Sequence, residues 1–302
     1  MEGRKLSIRS GFASIIGRPN VGKSTLINSL IGHKIAIISD KPQTTRNQIR
    51  GIFTTEHGQV VFIDTPGMHK PRHRLGEFMV EVARRTLKEV DLILYVVDAA
   101  VEFGGGEQYI LDQLTKVTTP VFLIINKIDL VSRPELLKVI EIYKSKGQFA
   151  EIVPVSAVKR DNLDRLSQVI FDYLPEGPYY YPTDMISDQP EYMIMAELIR
   201  EKVLLLTREE IPHSVAVEAE EVKVRSNDLV YLRAVIYVER DTQKGILIGK
   251  QGKMLKEVGK LAREDIQNLL GNQVYLDLWV KVKKDWRNNP VALSSLGYDL
   301  RQ

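Results

Sequence analysis

The first 174 residues alternate short apolar runs with segments of helical periodicity. The runs are rich in valine and isoleucine and are bounded by charges or turn residues, which is typical of buried strands. They occupy residues 12–16, 60–63, 92–97, 121–125 and 152–155. Between them, apolar side chains recur at helical offsets at Met79, Val82, Ala83, Thr86 and Leu87, and again at Leu163, Leu166, Ile170 and Tyr173. This alternation predicts an α/β domain with a mostly parallel sheet and helices on both faces.

The pattern changes at residues 175–190, which contain four prolines and cannot continue a helix or a central strand. We predict a linker here, whose three tyrosines pin it against one domain; stacking on bases is the alternative. Beyond it the pattern predicts, in order, a helix at 195–206, strands at 215–224 and 229–238 with a turn at 226–228, a helix at 255–269 and a half-buried strand at 274–282. The expected domains are therefore 1–174 and a smaller α+β domain at 191–302.

The composition fits a globular protein, with 44% hydrophobic and 27% charged residues. Cysteine is absent, which excludes disulfides, thiolate metal sites and cysteine nucleophiles. No apolar run approaches the roughly 20 residues that span a bilayer, and the basic N-terminus lacks the apolar stretch of a secretion signal. We therefore expect a cytoplasmic protein.

The net charge of +3 is unevenly distributed along the chain. Residues 1–50 hold nine basic and two acidic residues, and residues 244–287 hold ten basic and five acidic ones. Such asymmetry is commonly a solvated surface, and it indicates nucleic-acid binding only where it surrounds a recognisable nucleic-acid element.

Residues 17–24 match the phosphate-binding pattern G-x-x-x-x-G-K-[ST] between a predicted strand and a predicted helix. The matching residues are Gly17, Arg18, Pro19, Asn20, Val21, Gly22, Lys23 and Ser24. Glycines at these positions let backbone N–H groups surround phosphates at a helix N-terminus. We expect Lys23 to contact the β- and γ-phosphates and Ser24 to bind Mg²⁺.

The end of the predicted strand at 60–63 and the loop before it carry polar residues that fit a nucleotide site. Asp64 can hold Mg²⁺ through water, and Gly67 can sense a γ-phosphate. That turn is formed by Asp64, Thr65, Pro66, Gly67 and Met68. Between the first helix and the next strand, Thr45 is the predicted switch hydroxyl for Mg²⁺, with Thr44 as the alternative.

The end of the predicted strand at 121–125 selects the base. It is followed by Asn126, Lys127, Ile128 and Asp129. The Asp129 carboxylate can accept hydrogen bonds from N1–H and the 2-amino group of guanine, a donor pair that adenine lacks. Sites of this kind reject the unmatched analogue by roughly 10⁴–10⁵, which argues against an ATPase. Ser156 and Ala157 are predicted to supply backbone groups to the guanine O6.

These motifs resemble those of the translation-factor-related GTPases. PNVGKS at 19–24, QTTR at 43–46 and DTPGMHKPRHRLGEFM at 64–79 look like the Era family of bacterial GTPases, and the resemblance extends over nearly the whole chain. Gly104–Gly106 depart from the usual family pattern without an evident effect on the chemistry.

A second candidate site lies between the predicted strand at 229–238 and the helix at 255–269. Gly249, Lys250, Gln251 and Gly252, followed by Lys253, resemble the GxxG loop of a KH domain, which clamps about four nucleotides. The element order matches a type II KH domain, and lysines cluster around the loop. A solvated basic helix is the alternative. Trp286 is predicted either to stack on a base or to pack the C-terminal segment.

The resemblance implies a GTPase that converts GTP to GDP and phosphate, with Mg²⁺ at Ser24, Thr45 and Asp64. It further implies binding to the 3′ end of 16S rRNA, a role in 16S rRNA processing and 30S subunit biogenesis, a monomer, and peripheral contact with the inner face of the membrane. An RNA-binding chaperone with a non-catalytic nucleotide site is the alternative.

The resemblance also bears on catalysis, for which Lys23, Thr45, Gly67 and Asn20 are the candidates. Met68 occupies the position where many GTPases have a water-orienting glutamine, and it has no group able to orient water. The family likeness implies that K⁺, held by the Asn20 side-chain oxygen, supplies positive charge. The alternative is that Asn20 only shapes the turn after Pro19.

Overall fold

The computed structural model describes residues 7–39, 41, 44, 46, 49–64, 74–86, 89–225 and 228–298, with the side chains of 82–85 excepted. Their contacts define two compact units. The first contains the chain up to Ala36, the hairpin at 49–64 and Met79–Asp188, and the second contains the chain from Gln189 together with described residues of 37–44 and 74–78. No described helix has the length and apolarity needed to cross a membrane.

The first unit is built on a six-stranded sheet. Its elements are β1 (Arg9–Ile16), α1 (Lys23–Ile31), β2 (Ile49–Thr55), β3 (Gly58–Asp64), α2 (Arg74–Thr86, whose first residues group with the second unit), β4 (Leu92–Asp98), α3 (Gly105–Leu114), β5 (Val121–Asn126), α4 (Arg133–Lys146), β6 (Glu151–Pro154) and α5 (Leu163–Tyr173). The strand order is β2-β3-β1-β4-β5-β6. All neighbours are parallel except the β2–β3 hairpin.

The five predicted strands are confirmed as β1, β3, β4, β5 and β6. They appear as continuous apolar runs because helices cover both faces of the sheet, so successive side chains are all buried. In β4, Leu94 and Val96 belong to the core on one face, whereas Tyr95 and Val97 belong to the core on the other. The mostly parallel α/β architecture predicted from the sequence is therefore confirmed.

The linker residues lie along the hairpin edge of this sheet. The amides of Tyr180 and Tyr181 both donate to the Gln59 side-chain oxygen, at 2.8 and 2.9 Å, and the Tyr180 ring lies 5.1 Å from that of Phe12. The Tyr179 hydroxyl donates to the Thr55 carbonyl at 3.2 Å. The prediction that the tyrosines pin the linker against one domain is confirmed.

The second unit is a smaller α+β fold. Its elements are α6 (Glu191–Leu206), α7 (Ile211–Ser214), β7 (Ala216–Val224), β8 (Leu229–Val238), α8 (Asp241–Ile248), α9 (Lys253–Leu270), β9 (Gln273–Val282) and α10 (Pro290–Ser295). The sheet order is β7-β8-β9, with β8 antiparallel to β7 and parallel to β9. We call the side that packs on α6, α8 and α9 the helix face, and the opposite side the outer face. The predicted turn at 226–228 lies mostly outside the described residues.

Candidate functional site

The nucleotide-site residues meet because parallel strands end at one edge of the sheet. β1 leads into the loop at 17–22, β3 ends at Asp64, β5 ends at Asn126, and Ser156 follows β6. Gly17 and Ser156, 139 positions apart in the sequence, are thereby placed at one edge, as the motifs predicted. Thr45 and the segment Thr65, Pro66, Gly67 and Met68 lie outside the described residues, so their predicted roles stay predictions.

The phosphate loop is tightly packed from behind. Gly22 has φ of 96°, a left-handed conformation that favours glycine, and a Cβ there would lie 2.3 Å from Asn126 Nδ2. A Cβ on Gly17 would lie 2.3 Å from the Val96 carbonyl oxygen. Arg18, Pro19, Asn20 and Val21 complete the loop, and α1 begins at Lys23. The arrangement places backbone groups at a helix N-terminus, which suits an anion.

Lys23 is held at the centre of this loop with 7% of its surface exposed. Its ammonium donates to the Arg18 carbonyl at 2.9 Å and to the Gly17 carbonyl at 3.2 Å. Burial lowers the pKa of Lys23, and the nearby Asp64 carboxylate opposes that shift. A poorly solvated ammonium interacts more strongly with a phosphate than an exposed one does.

The Ser24 hydroxyl donates to Asp64 Oδ2 at 2.9 Å. A hydroxyl and a buried carboxylate side by side are oxygen ligands of the kind that Mg²⁺ prefers, so these residues fit the predicted metal site. The alternative switch hydroxyl, that of Thr44, donates to the Lys41 carbonyl at 2.6 Å, and the Thr44 carbonyl accepts a bond from Arg200.

The predicted base-recognition residues are tied to the phosphate loop. Asn126 Nδ2 donates to the Val21 carbonyl at 2.9 Å, and its Oδ1 accepts from the Ala157 amide at 3.0 Å. The Ser156 hydroxyl donates to Asp129 Oδ1 at 2.5 Å, which orients that carboxylate. The structure therefore brings Asn126, Asp129, Ser156 and Ala157 together, as the sequence predicted for the guanine site. Ile128 begins a short 3₁₀ turn directly after Lys127.

Asp98 and Glu107 belong to the site but were not predicted from the sequence; each is the partner of a predicted residue. Lys127 donates from its ammonium to the Asn20 carbonyl at 2.8 Å and to Asp98 Oδ2 at 2.6 Å. Arg18 pairs with Glu107 at 2.7 Å. Asp98 is the polar residue that ends β4, in the same position as Asp64 in β3 and Asn126 in β5. The sequence signal that identified those two residues would therefore have identified Asp98. Glu107 lies on α3 and gives no comparable signal.

The GxxG loop lies between α8 and α9 in the second unit. Gly249, Gln251 and Gly252 have φ of 72°, 56° and 75°, so the chain turns in left-handed conformations before α9 begins at Lys253. Lys250, Gln251 and Lys253 are exposed. No acidic residue occupies the first turn of α9, which leaves this helix N-terminus suited to an anion.

A groove of about 770 Å³ runs beside this loop. One wall carries cations at helical spacing, and the floor is apolar. The lining residues are Gly252, Lys253, Leu255, Lys256, Glu257, Gly259, Lys260, Arg263, Leu276 and Leu278. An apolar floor accommodates bases and a cationic wall accommodates phosphates, which is the arrangement expected of a single-stranded RNA site.

Trp286 packs the C-terminal segment and cannot stack on a base. It is 0% exposed, its indole N–H donates to the Ser214 carbonyl at 2.9 Å, and its ring stacks on Tyr298 at 5.9 Å. Of the two possibilities for this residue, packing is confirmed and base stacking is wrong, because the indole is sealed inside the second unit.

The fold and the two sites together define a class of protein: a P-loop GTPase domain followed by a KH domain. The family model for 50S ribosome-binding GTPases matches residues 12–127, and the KH domain model matches residues 210–287.

Individual relatives cover nearly the whole chain. GTPase Era of Heliobacterium modesticaldum is 61% identical over 292 residues, which are 97% of this chain and 98% of that protein. Two solved structures, Aquifex aeolicus Era bound to GDP·AlF4⁻ and Era in complex with MgGDPNP and nucleotides 1506–1542 of 16S ribosomal RNA, each have a TM-score of 0.93 and 42% identity. Each covers 97% of this chain and is itself fully covered. The chain belongs to the GTPase Era family, and it is a GTPase.

Proposed function

We propose that this GTPase binds the 3′ end of 16S rRNA through its second unit and acts in 16S rRNA processing and 30S subunit biogenesis. The observation that carries the proposal is the groove beside the GxxG loop, which joins an apolar floor to a cationic wall. One relative that covers 97% of this chain is Era in complex with MgGDPNP and a 16S rRNA fragment. The proposed GTPase domain ends at residue 174, residues 175–190 form the linker, and the proposed RNA-binding domain is 191–302.

At the nucleotide site, Lys23 holds the β- and γ-phosphates and Asp129 accepts the hydrogen bonds of guanine, while Ser156 keeps that carboxylate oriented. Ser24 would hold Mg²⁺, with Asp64 behind it and Thr45 as a further ligand. A bound Mg²⁺ neutralises phosphate charge during in-line attack by water. Gly67 is the proposed sensor of the γ-phosphate.

Potassium is a further proposed cofactor. The Met68 side chain has no donor that could orient water. A cation beside the phosphates would contribute in another way, by stabilising the charge that develops on them. Asn20 lies in the phosphate loop with an exposed side chain and φ of 67°, and its side-chain oxygen is the proposed K⁺ ligand. K⁺ adds positive charge beside the phosphates when bound.

The family likeness also underlies three proposals about the cell: that the protein is cytoplasmic, that it contacts the inner face of the membrane peripherally, and that it acts on the 30S subunit as a monomer. The competing function is an RNA-binding chaperone whose nucleotide site is non-catalytic. Lys23 and Asn126 are buried, and Asp129 is oriented by a hydrogen bond from Ser156. This order favours a nucleotide site that is catalytic.

The RNA role is tested by replacing Lys250 and Gln251 with aspartate in the full chain. The two carboxylates lie where phosphates are expected, so affinity for a 3′-terminal 16S rRNA oligonucleotide should fall sharply, and loss of one cation should reduce the salt slope by about one. GTP binding should be unchanged.

The control is the pair Lys116→Asp and Gln108→Asp. It makes the same change in net charge at exposed positions of the first unit and should leave RNA affinity nearly unaltered. Unchanged RNA affinity in the Lys250 and Gln251 variant would show that the GxxG loop does not hold RNA.

A further inference from the structure

The outer face of the second sheet carries two exposed aromatic side chains. Successive residues of a strand point to opposite faces. In β9, Leu276 and Leu278 line the groove on the helix face, so Tyr275 and Trp279 lie on the outer face. They are 57% and 55% exposed. This exposure contrasts with Trp286, the other tryptophan of the chain, which is fully buried.

A ring on the neighbouring strand supports this aromatic surface from within the unit, because Tyr231 is only 8% exposed. Tyr231 of β8 pairs in register with Tyr275, and the two rings stack at 5.8 Å with an interplanar angle of 16°. The Arg225 guanidinium lies 4.6 Å from the Tyr231 ring centre. We call Tyr231, Tyr275 and Trp279 the aromatic platform.

The charges around the platform are of two kinds. Lys281 pairs with Glu220 at 2.8 Å, and Arg233 with Asp277 at 3.3 Å, so these cations are neutralised locally. Arg225 has no ion-pair partner among the residues that the structure describes. The platform therefore combines two exposed rings, those of Tyr275 and Trp279, with a guanidinium that lies near the Glu221 carboxylate without forming an ion pair with it. Base–aromatic stacking together with such cations is how proteins hold unpaired nucleic acid.

The platform is continuous with the groove across a single strand. β9 is the edge strand of the sheet, so the groove and the platform are the two faces of one exposed edge. Tyr275 and Trp279 are four residues apart, about 13 Å along the strand. A KH groove holds only about four nucleotides, so a longer RNA strand has to leave the groove. RNA that crosses the β9 edge reaches the platform directly.

We propose that Tyr275 and Trp279 stack on unpaired bases of the same RNA strand after it has left the groove and passed the β9 edge. The proposal rests on the RNA function proposed above. It assigns to the outer face a second, sequence-tolerant subsite, since every base has a π-face that can stack on an aromatic ring.

Tryptophan emission of the full-length chain reports on this subsite directly. Trp286 is buried and gives a constant background, whereas Trp279 is exposed and should be quenched when a base stacks on it. We expect a 12-nucleotide oligomer from the 3′ end of 16S rRNA to quench the emission, and a four-nucleotide oligomer that fills only the groove to bind without quenching. Trp279→Phe should lose the quenching and retain the affinity.

Affinities measured by anisotropy of labelled oligomers give the energetic test. Trp279→Ala and, as a second variant, Tyr275→Ala should weaken binding of the 12-mer roughly 5- to 100-fold, the effect typical of losing one stacked base. Binding of the four-nucleotide oligomer should stay within about twofold. Tyr192→Ala is the matched control, since Tyr192 is an aromatic of the same unit, 45% exposed and on α6.

The outcomes separate the subsite from the RNA function. If both oligomers bind the wild type and neither platform variant weakens the 12-mer, the platform does not hold RNA, and its exposed rings belong to a protein contact or to solvent. If neither oligomer binds the wild type, the RNA function itself is overturned, together with the platform. Selective loss of the 12-mer in both variants supports the proposal.

Discussion

Asn126 offers the sharpest test of how the nucleotide site is held together. Its side chain is 2% exposed, and it links the phosphate loop at Val21 to the loop after β6 at Ala157. Asn126→Ala leaves one buried carbonyl and one buried amide without these partners. Each costs about 1–3 kcal/mol, and water entering the vacated space recovers part of this. We expect the free energy of unfolding of the first unit to fall by about 2–4 kcal/mol.

The two units can be followed separately in a urea titration. Both tryptophans, Trp279 and Trp286, lie in the second unit, so their emission reports on that unit alone, whereas far-ultraviolet circular dichroism reports on both. Asn126→Ala should move the first-unit transition to lower urea and leave the tryptophan transition in place. Guanine-nucleotide affinity should fall in parallel.

The matched control is Gln108→Ala. It removes one exposed hydrogen bond of 2.8 Å, which the Gln108 side-chain amide donates to Asp112 on α3. It should change stability by no more than about 0.5 kcal/mol. Two results would refute the claim that the Asn126 side chain holds the site together. One is a loss of no more than about 0.5 kcal/mol in the free energy of unfolding for Asn126→Ala. The other is a shift of the tryptophan transition equal to that of the first-unit transition.

Two further predictions concern the nucleotide. Asp129→Asn should lose guanine nucleotides and gain xanthine nucleotides, because an amide can donate where xanthine has a carbonyl; competition binding measures this, and unchanged GTP affinity would contradict the assignment. GTP hydrolysis should be faster in K⁺ than in Na⁺ with RNA present, and Asn20→Ala should abolish that preference while GTP still binds. Equal wild-type rates in the two salts would reject the potassium proposal.

The strands and site residues that were predicted correctly are those whose signal lies in a short stretch of sequence. A strand covered on both faces is a continuous apolar run, and the polar residue that ends it lies at the functional edge, as for Asp64 and Asn126. β2 was not among the predicted strands, because Arg50 and the threonines at its end interrupt the apolar pattern. It forms because β3 and the linker flank it, and the Ile52 amide donates to the Ile186 carbonyl at 2.9 Å.

Tertiary contacts decided the questions that the sequence left open. The partner of Trp286 is the Ser214 carbonyl, 72 positions away, so no local pattern could distinguish packing from stacking. Trp279 lies in a strictly alternating strand, and its exposure follows only when the helices are known to cover the other face. Likewise, the Arg18–Glu107 ion pair joins residues 89 positions apart.

We infer that one chain both binds 16S rRNA and hydrolyses GTP. Single-turnover hydrolysis by the full chain, with the 3′ rRNA oligonucleotide bound, tests it most directly. We expect phosphate to be released from GTP but not from ATP, and Lys23→Ala to abolish the release. If wild-type chain binds both GTP and RNA yet releases no phosphate, the protein is an RNA-binding chaperone with a non-catalytic nucleotide site.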